Sequence, residues 1–282
     1  MAIVNTNFNS LTALRYIRLV ERQIGYSINR LSTGRNLTFD DPSGFALSSR
    51  LNAQTGGVQT AIQNAEDALS LTQVAYSVLD STMEMLLRMR DLSVRAANDA
   101  TLSSADYTDL NDEFADLRNT IDTMAKGATF NDRELFTGSY AAGRAAQVGP
   151  DNNANQRYSI VIATATVSAI AGGTNDLWSV TLLSAGAAAS AQSVVDRSID
   201  YTSNIQASLG VQQRSLNAMI DALSSAETNL SAASSRITDA DMASEISRFS
   251  KLQIVSEAGV AALAHSNDLD SRVVSLMDEM TG

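Results

Sequence analysis

Apolar residues recur along this chain at intervals of four and three. Positions 51, 55, 58, 62, 65, 69, 72, 76, 79, 83 and 86 follow that spacing. Leu51, Val58, Ile62, Ala65, Leu69, Tyr76, Leu79, Met83 and Leu86 among them are apolar. A seam sustained in this way predicts one long helix with a face for a second helix. From about Ser43 to Ala97 it would run to roughly 80 Å, at about 1.5 Å per residue. The pattern breaks over 98–104, where Ser103-Ser104-Ala105-Asp106 offers a cap for another helix. Leu110, Phe114, Leu117, Ile121 and Met124 carry the spacing onward, and Lys126-Gly127 ends it with a basic residue and a glycine.

From Phe130 to about Gly186 the character changes. Tyr158 to Val167 and Leu177 to Leu183 read as strands, with Gly172-Gly173 and Asn175-Asp176 supplying the turn between them. Helix returns near Ala187. Positions 205, 209, 212, 216, 219, 223, 226, 230, 233 and 237 again alternate four and three, and only Gln212 is polar. A polar interruption from Ser234 to Asp241 precedes a terminal helix marked by Met242, Ile246, Phe249, Val260, Leu263, Val274 and Met277. At the other end, Leu14, Ile17, Ile24, Ile28 and Leu31 belong to a short helix before the polar break at 34–45. The organisation is mirror-like: helix, break and long helix lead into a β module, and long helix, break and helix lead out. Such a chain closes back on itself with its ends adjacent. The fold class is mainly α, a long antiparallel helical bundle or coiled coil with paired terminal helices and a small central β-hairpin module. The terminal pair carries more apolar surface than one partner covers, which points to self-association.

Composition narrows the functions. Hydrophobic residues make up 44 % of the 282, aromatics only 5 %, and there are two prolines and no cysteine. That suits long helices and excludes disulfides, thiolate metal sites and cysteine nucleophiles. A net charge of −11 argues against nucleic acid as a partner. No apolar run is long enough for a membrane span of about 20 residues, so no membrane partner is expected. The start, MAIVNTNFNS, lacks a basic-then-apolar leader, so an exported chain would leave without a cleaved signal. Charge is unevenly spread: residues 1–50 carry six Arg against three acids, and residues 237–282 carry three basic side chains against eight acids. The ends are therefore able to attract each other or a neighbouring copy.

Catalytic signatures are missing from the sequence. The single histidine, His265, has no neighbouring ligands, and there is no phosphate loop, HExxH or nucleophile elbow. Asp151-Asn-Asn-Ala-Asn155 begins like a calcium loop, but Gln156 and Ile162 stand where Gly and Glu are required. Asp91, Asp109, Asp112, Glu113 and Asp116 read as solvated charges on helix faces. The expectation is a protein that is not an enzyme and needs no cofactor or metal.

An ordered set of motifs adds a resemblance. It comprises Ile3-Val-Asn-Thr-Asn7, Leu31-Ser-Thr-Gly-Arg35, Asp40-Asp41 with Gly44, Leu86-Leu-Arg-Met-Arg-Asp-Leu-Ser-Val94 and Ala96-Ala-Asn98. Thr129-Phe-Asn131, Ser235-Arg-Ile-Thr-Asp-Ala-Asp-Met242, Gln253-Ile with Ala258-Gly259, and Val273-Val-Ser-Leu-Met277 follow. Over about 1–138 and 187–277 the chain resembles bacterial flagellin, in a short form without large outer domains. The Asp-Asp-Pro stretch also resembles the hook–filament junction (hook-associated) proteins, which share the terminal helices, whereas Thr129-Phe-Asn131 and the C-terminal half favour flagellin.

The resemblance implies an N-terminal inner-core helix (1–33), a spoke (34–45), outer-core helices (46–129), a β-hairpin module (130–186), an outer-core helix (187–233), a second spoke (234–241) and a C-terminal inner-core helix (242–282). In the first spoke Gly34 lets the helix end, Asp40, Asp41 and Ser43 are each able to cap the next one, Pro42 sits near its start, and Gly44 follows. Assembly is assigned to Leu14, Ile17, Ile24, Ile28, Leu31, Ile246, Phe249, Val260, Leu263, Val274 and Met277. The implied role is the motility filament, an extracellular homopolymer exported without a cleaved signal. The implied partners are other copies, hook-associated junction and cap proteins, a cytoplasmic export chaperone and an innate immune receptor of a host. Arg88, Leu92 and Glu113 match the receptor or inter-subunit patch, and Leu87 stands where receptor-recognised relatives carry Gln. The chain departs from the family at Asp270, where many relatives have Pro, and at Asp278-Glu-Met-Thr-Gly282, past the usual stop.

Overall fold

The computed structural model describes residues 7–36, 40–171 and 176–281, except for the side chains of 277, 278, 280 and 281. Residues 3–6 of the first motif, the 172–175 part of the expected turn and the Met277 side chain thus lie outside the described residues. Six helices are described: α1 (Phe8–Thr33), α2 (Pro42–Ala96), α3 (Ser104–Gly127), α4 (Val167–Ile170), α5 (Ala185–Thr238) and α6 (Met242–Thr281). Two antiparallel strand pairs accompany them. β1 (Thr129–Phe130) pairs with β2 (Arg133–Glu134), and β3 (Arg144–Gln147) with β4 (Arg157–Ile160). The class is mainly α. Residues 1–52 with 230–282 form one compact unit and residues 53–229 form the other.

Within the second unit, the α2 seam is rotated from the one its bulkiest residues suggest. Positions 58, 65, 72, 79, 86 and 93 are buried, and so are Ala61, Ala68, Ala75, Thr82, Met89 and Ala96. Ile62, Leu69 and Met83 are only half-buried and Tyr76 is exposed. Small side chains fill the second row of the seam, and the larger ones flank it. The α5 seam keeps its expected register: Ile205, Leu209, Gln212 and Leu216 are buried. Antiparallel alignment of α2 and α5 is marked by Gln59 donating to Glu227 at 2.6 Å and by an Arg90–Asp196 ion pair at 2.7 Å. Buried hydroxyls on these helices donate to carbonyls one turn back, as Ser93 does to Met89 and Ser198 to Val194.

The α3 helix begins in a reciprocal box. The Ser103 hydroxyl accepts from the Asp106 N–H, and the Asp106 carboxylate accepts from the Ser103 N–H at 2.8 Å. The helix packs Tyr107, Leu110, Phe114, Ile121 and Ala125 into the core. At the β1–β2 hairpin, Asn131 and Asp132 both have positive φ, 49° and 58°. Such residues suit the mirror-image turn that matches strand twist.

The two strands expected downstream do not form as read. Only 157–160 is extended into a ladder, and its partner is β3. Residues 167–170 are helical, and 177–183 form no strand. Apolar residues are still buried there: Ile162, Ala165, Leu177, Val180 and Leu182. The Ile162 and Ala165 N–H groups donate to the carbonyls of Tyr140 and Phe136, and other backbone groups bond to helix side chains. Gln212 of α5 accepts from the Val161 N–H at 3.0 Å and donates to its carbonyl at 2.8 Å. Asn111 of α3 accepts from the Leu182 N–H, and Arg118 donates to the carbonyls of Leu177 and Trp178. Buried peptide groups need partners, and here amide and guanidinium groups substitute for a neighbouring strand.

Candidate functional site

The first unit is built on the antiparallel pair α1 and α6. At one end, Asn7 caps α1 by accepting from the Ser10 N–H at 2.9 Å. Its amide nitrogen also donates to the Ser266 carbonyl at 3.2 Å, and the Ser10 hydroxyl donates to Asn267 at 2.6 Å. Midway, Ile17 is buried against Gly259. At the other end, Ser27 donates to Glu245 at 2.6 Å, while the Arg30 guanidinium reaches Glu245 at 3.3 Å and Asp40 at 2.7 Å. Arg30 and Glu245 are both buried, so one cation satisfies two carboxylates and ties α1 to α6 and to the break after α1.

Gly34 ends α1 with φ +67°, its N–H donating to the Arg30 carbonyl at 2.8 Å. A left-handed backbone is open to glycine at no steric cost, so the chain turns there. Arg35 then forms an antiparallel bridge with Asp239, flanked by Asn36 N–H to the Thr238 carbonyl at 2.8 Å and Ala240 N–H to the Gly34 carbonyl at 2.9 Å. The two polar breaks are thus held together by backbone bonds. The second is shorter than the 234–241 stretch suggests, because α5 continues through Thr238. Ser234 is buried inside that helix and donates to Asn52 at 2.8 Å.

Of the three residues able to cap α2, Asp41 does so. Its carboxylate accepts from the Gly44 N–H at 2.9 Å and from the Ser43 hydroxyl at 2.7 Å. The Gly44 N–H, then the Ser43 hydroxyl, hold its pKa below the usual carboxylate value. Asp40 goes to Arg30, Ser43 donates to Asp41, and Pro42 opens the helix, where its missing N–H leaves nothing unpaired. Residues 37–39 lie outside the described residues.

The residues assigned to assembly separate into two sets. Ile17 is buried, and Leu14, Ile24, Leu31, Phe249 and Leu263 are half-buried on the faces where α1 and α6 meet. Ile28, Ile246, Val260 and Val274 are exposed and belong to other faces. Sequence reasoning missed Leu252, Ser27, Arg30, Glu245 and Gly259, which complete the pairing. The sequence did carry a signal for the α6 side, since 245, 249, 252, 256, 259, 263 and 266 keep the four–three spacing with polar and small residues. Among the described residues, 17 of 25 exposed large hydrophobic residues fall in this unit, 15 of them on α1 and α6, with Phe8 the most exposed at 69 % and Tyr16 and Ile254 next at 66 %. That concentration marks the helix pair as an unfinished interface.

The other patch reads differently from its expectation. Arg88 of α2 and Glu113 of α3 form an exposed pair at 2.7 Å. Leu92, four residues on, is 2 % exposed and packs into the core, so it has no side-chain surface to offer a receptor. The exposed apolar neighbours are Leu87 and Val94. In the Asp151–Asn155 loop, the Gln156 side chain accepts from the Asp151 N–H at 2.6 Å and closes the turn internally. No helix among the described residues is long and apolar enough to cross a membrane.

Comparison with known proteins agrees with this geometry. The model of the bacterial flagellin N-terminal helical region matches residues 4–141, and that of the bacterial flagellin C-terminal helical region matches 192–277. The flagellin of Bacillus subtilis is 33 % identical over 302 aligned positions, covering 97 % of this chain and 99 % of its own. The flagellar filament 30.7 kDa core protein of Treponema maltophilum is 31 % identical, covering 98 % of this chain and 99 % of its own. A solved structure described as a flagellar hook-associated protein of Vibrio parahaemolyticus shares the fold. Its TM-score is 0.59 over 71 % of this chain and all of that one, at 15 % identity.

Proposed function

The chain belongs to the bacterial flagellin family, and from that premise we propose that it is the structural subunit of a flagellar filament, self-assembling through α1 and α6 to serve motility. One observation carries the reading: the exposed large apolar residues are concentrated on the paired terminal helices, although those helices already bury a seam against each other. Burial of each such side chain between copies contributes about 1.5–3 kcal/mol. The test is negative-stain microscopy of the purified chain after seeding. Long filaments are expected from the full chain, and a monomer from chains lacking 1–33 or 242–282. Filaments of normal length from either truncation would remove the terminal helices from the mechanism.

A hook-associated role is the second reading. Its support is a shared fold at 15 % identity, whereas the relatives named as flagellin or filament core protein match nearly the whole chain. The filament reading places the chain outside the cell, in contact with hook-associated junction and cap proteins, after export with α6 covered by a cytoplasmic chaperone. Recognition by a host innate immune receptor would use the exposed Arg88–Glu113 pair and Leu87, with Leu92 supporting that surface from beneath. A receptor-binding assay on monomer decides it: Leu87→Gln should tighten binding, and no change would remove Leu87 from the patch.

A further inference from the structure

Three arginines of the first unit take no part in pairing α1 with α6. Arg15, Arg18 and Arg22 are exposed, and among the described residues none has an ion pair or a side-chain hydrogen bond. Spaced three and four apart, they share one face of α1. With Leu11, Leu14 and Leu19 they line a depression of about 350 Å³. Exposed Phe8 and Tyr26 extend that face at either end.

The α6 helix carries the opposite pattern. From Leu252 to Ser271 it has no Lys or Arg, and its charged residues other than His265 are Glu257, Asp268 and Asp270. Glu257 and Asp268 are exposed and have no cationic partner among the described residues. Eleven residues separate them, about three turns, so they lie on one face, with Val260 and Ala264 between them. Neither row faces the other within one chain. The α1–α6 seam is already occupied by Ile17, Gly259, Ser27 and Glu245, and the arginines are on the solvent side of α1.

We propose that the Arg15–Arg18–Arg22 face of α1 docks on the Glu257–Asp268 face of α6 in a second copy of this chain. The inference rests on the filament reading and names the surfaces that make it directional. Exposed apolar residues on both helices would by themselves allow α1 to pack on α1, or α6 on α6. Like charges placed opposite each other oppose both of those self-pairings, and opposite charges favour α1 on α6. Arg15 and Glu257 each lie two residues, about half a turn, from the seam residues Ile17 and Gly259. The two rows therefore face opposite ways, one partner cannot cover both, and an α1-on-α6 contact is heterologous. Each copy then keeps one free α1 face and one free α6 face, which extends a polymer instead of closing a dimer. Exposed charges of this kind contribute more to orientation and encounter than to affinity, and salt screens them over about 10 Å at 0.1 M.

The experiment uses full-length chains, seeded and examined by microscopy and sedimentation. Wild type is expected to form filaments, with the initial elongation rate falling at least threefold between 50 mM and 500 mM NaCl. A chain with Arg15→Glu, Arg18→Glu and Arg22→Glu should lose at least tenfold in filament yield, and so should one with Glu257→Arg and Asp268→Arg. Mixed together, these two variants are complementary in both directions and should recover filaments that neither forms alone. Either variant polymerising alone like wild type would overturn the inference, as would failure of both the mixture and the chain carrying all five changes. Loss of binding to anionic phospholipid vesicles in the Arg→Glu chain, without recovery in the mixture, would reassign the face to a lipid surface. Wild-type chains that form no filaments would instead sink the filament reading itself.

Discussion

Ile17 of α1 occupies the space beside Gly259 of α6: a Cβ added to that glycine would lie 3.1 Å from Ile17 Cγ1. An alanine there gains helix propensity of up to about 1 kcal/mol, yet presses on Ile17. A branched side chain has no such balance. Gly259→Val is expected to cost about 1–3 kcal/mol by overpacking. Combining it with Ile17→Ala should cost less than the sum of the single changes. A double-mutant cycle by thermal unfolding checks this, and strict additivity would separate the two residues.

Arg30→Met leaves Glu245 buried with only Ser27 to bond it. Breaking a buried pair from one side costs about 3–5 kcal/mol. Arg30→Met with Glu245→Leu removes both charges and should recover most of the loss. Denaturant unfolding, with amide exchange across 242–252, reads the difference. Equal stability of the single and double variants would show that the buried carboxylate was not the penalty.

The Asp106 carboxyl is held below its ordinary value of 3.8, first by the Ser103 N–H and then by the Ser103 hydroxyl. A depressed pKa in the folded state means its contribution is complete above the unfolded value and is lost as pH falls through the folded one. The Tm difference between wild type and Asp106→Ala should therefore hold steady from about pH 5 to 8 and shrink below about 3.8. A difference that grows on acidification would contradict this cap.

Gln212 serves both backbone groups of Val161. Gln212→Leu keeps an apolar fit to the α5 seam but removes the partner of the part-buried Val161 N–H and carbonyl, at about 0.5–1.5 kcal/mol. Faster amide exchange at Val161, with α2 and α3 unchanged, is the expected signature. Unchanged exchange there would mean another group satisfies that peptide.

Local chemistry decided much of this protein. Helix ends depend on residues a few positions apart, so Ser103 with Asp106, and Gly34, could be read directly from the sequence; at the end of α3 the glycine stays helical and Ala128 is the cap. The α5 register was equally legible, because its buried row is also its bulkiest. On α2 the two properties separate. Ala61, Ala68 and Ala75 are buried while Tyr76 is not, because which side of a helix is covered depends on its neighbours. The stretches 158–167 and 177–183 read as strands, but past Ile160 their backbone partners include the side chains of Gln212, Asn111 and Arg118, brought in from distant helices, and the carbonyls of Tyr140 and Phe136. Among Asp40, Asp41 and Ser43, composition allowed three caps. Arg30, positioned by α1, claims Asp40 and leaves Asp41 on the helix. The seam of α6 was obscured for the same reason: Glu245, Ser256 and Ser266 read as solvent-facing until α1 supplies Ser27, Arg30, Asn7 and Ser10. The sequence by itself determined where the long helices run, to within a few residues, and that the terminal ones carry more apolar surface than one partner covers. Only the tertiary structure decided which faces are already covered within one chain and which remain for the next, because burial depends on a partner helix more than two hundred residues away along the chain.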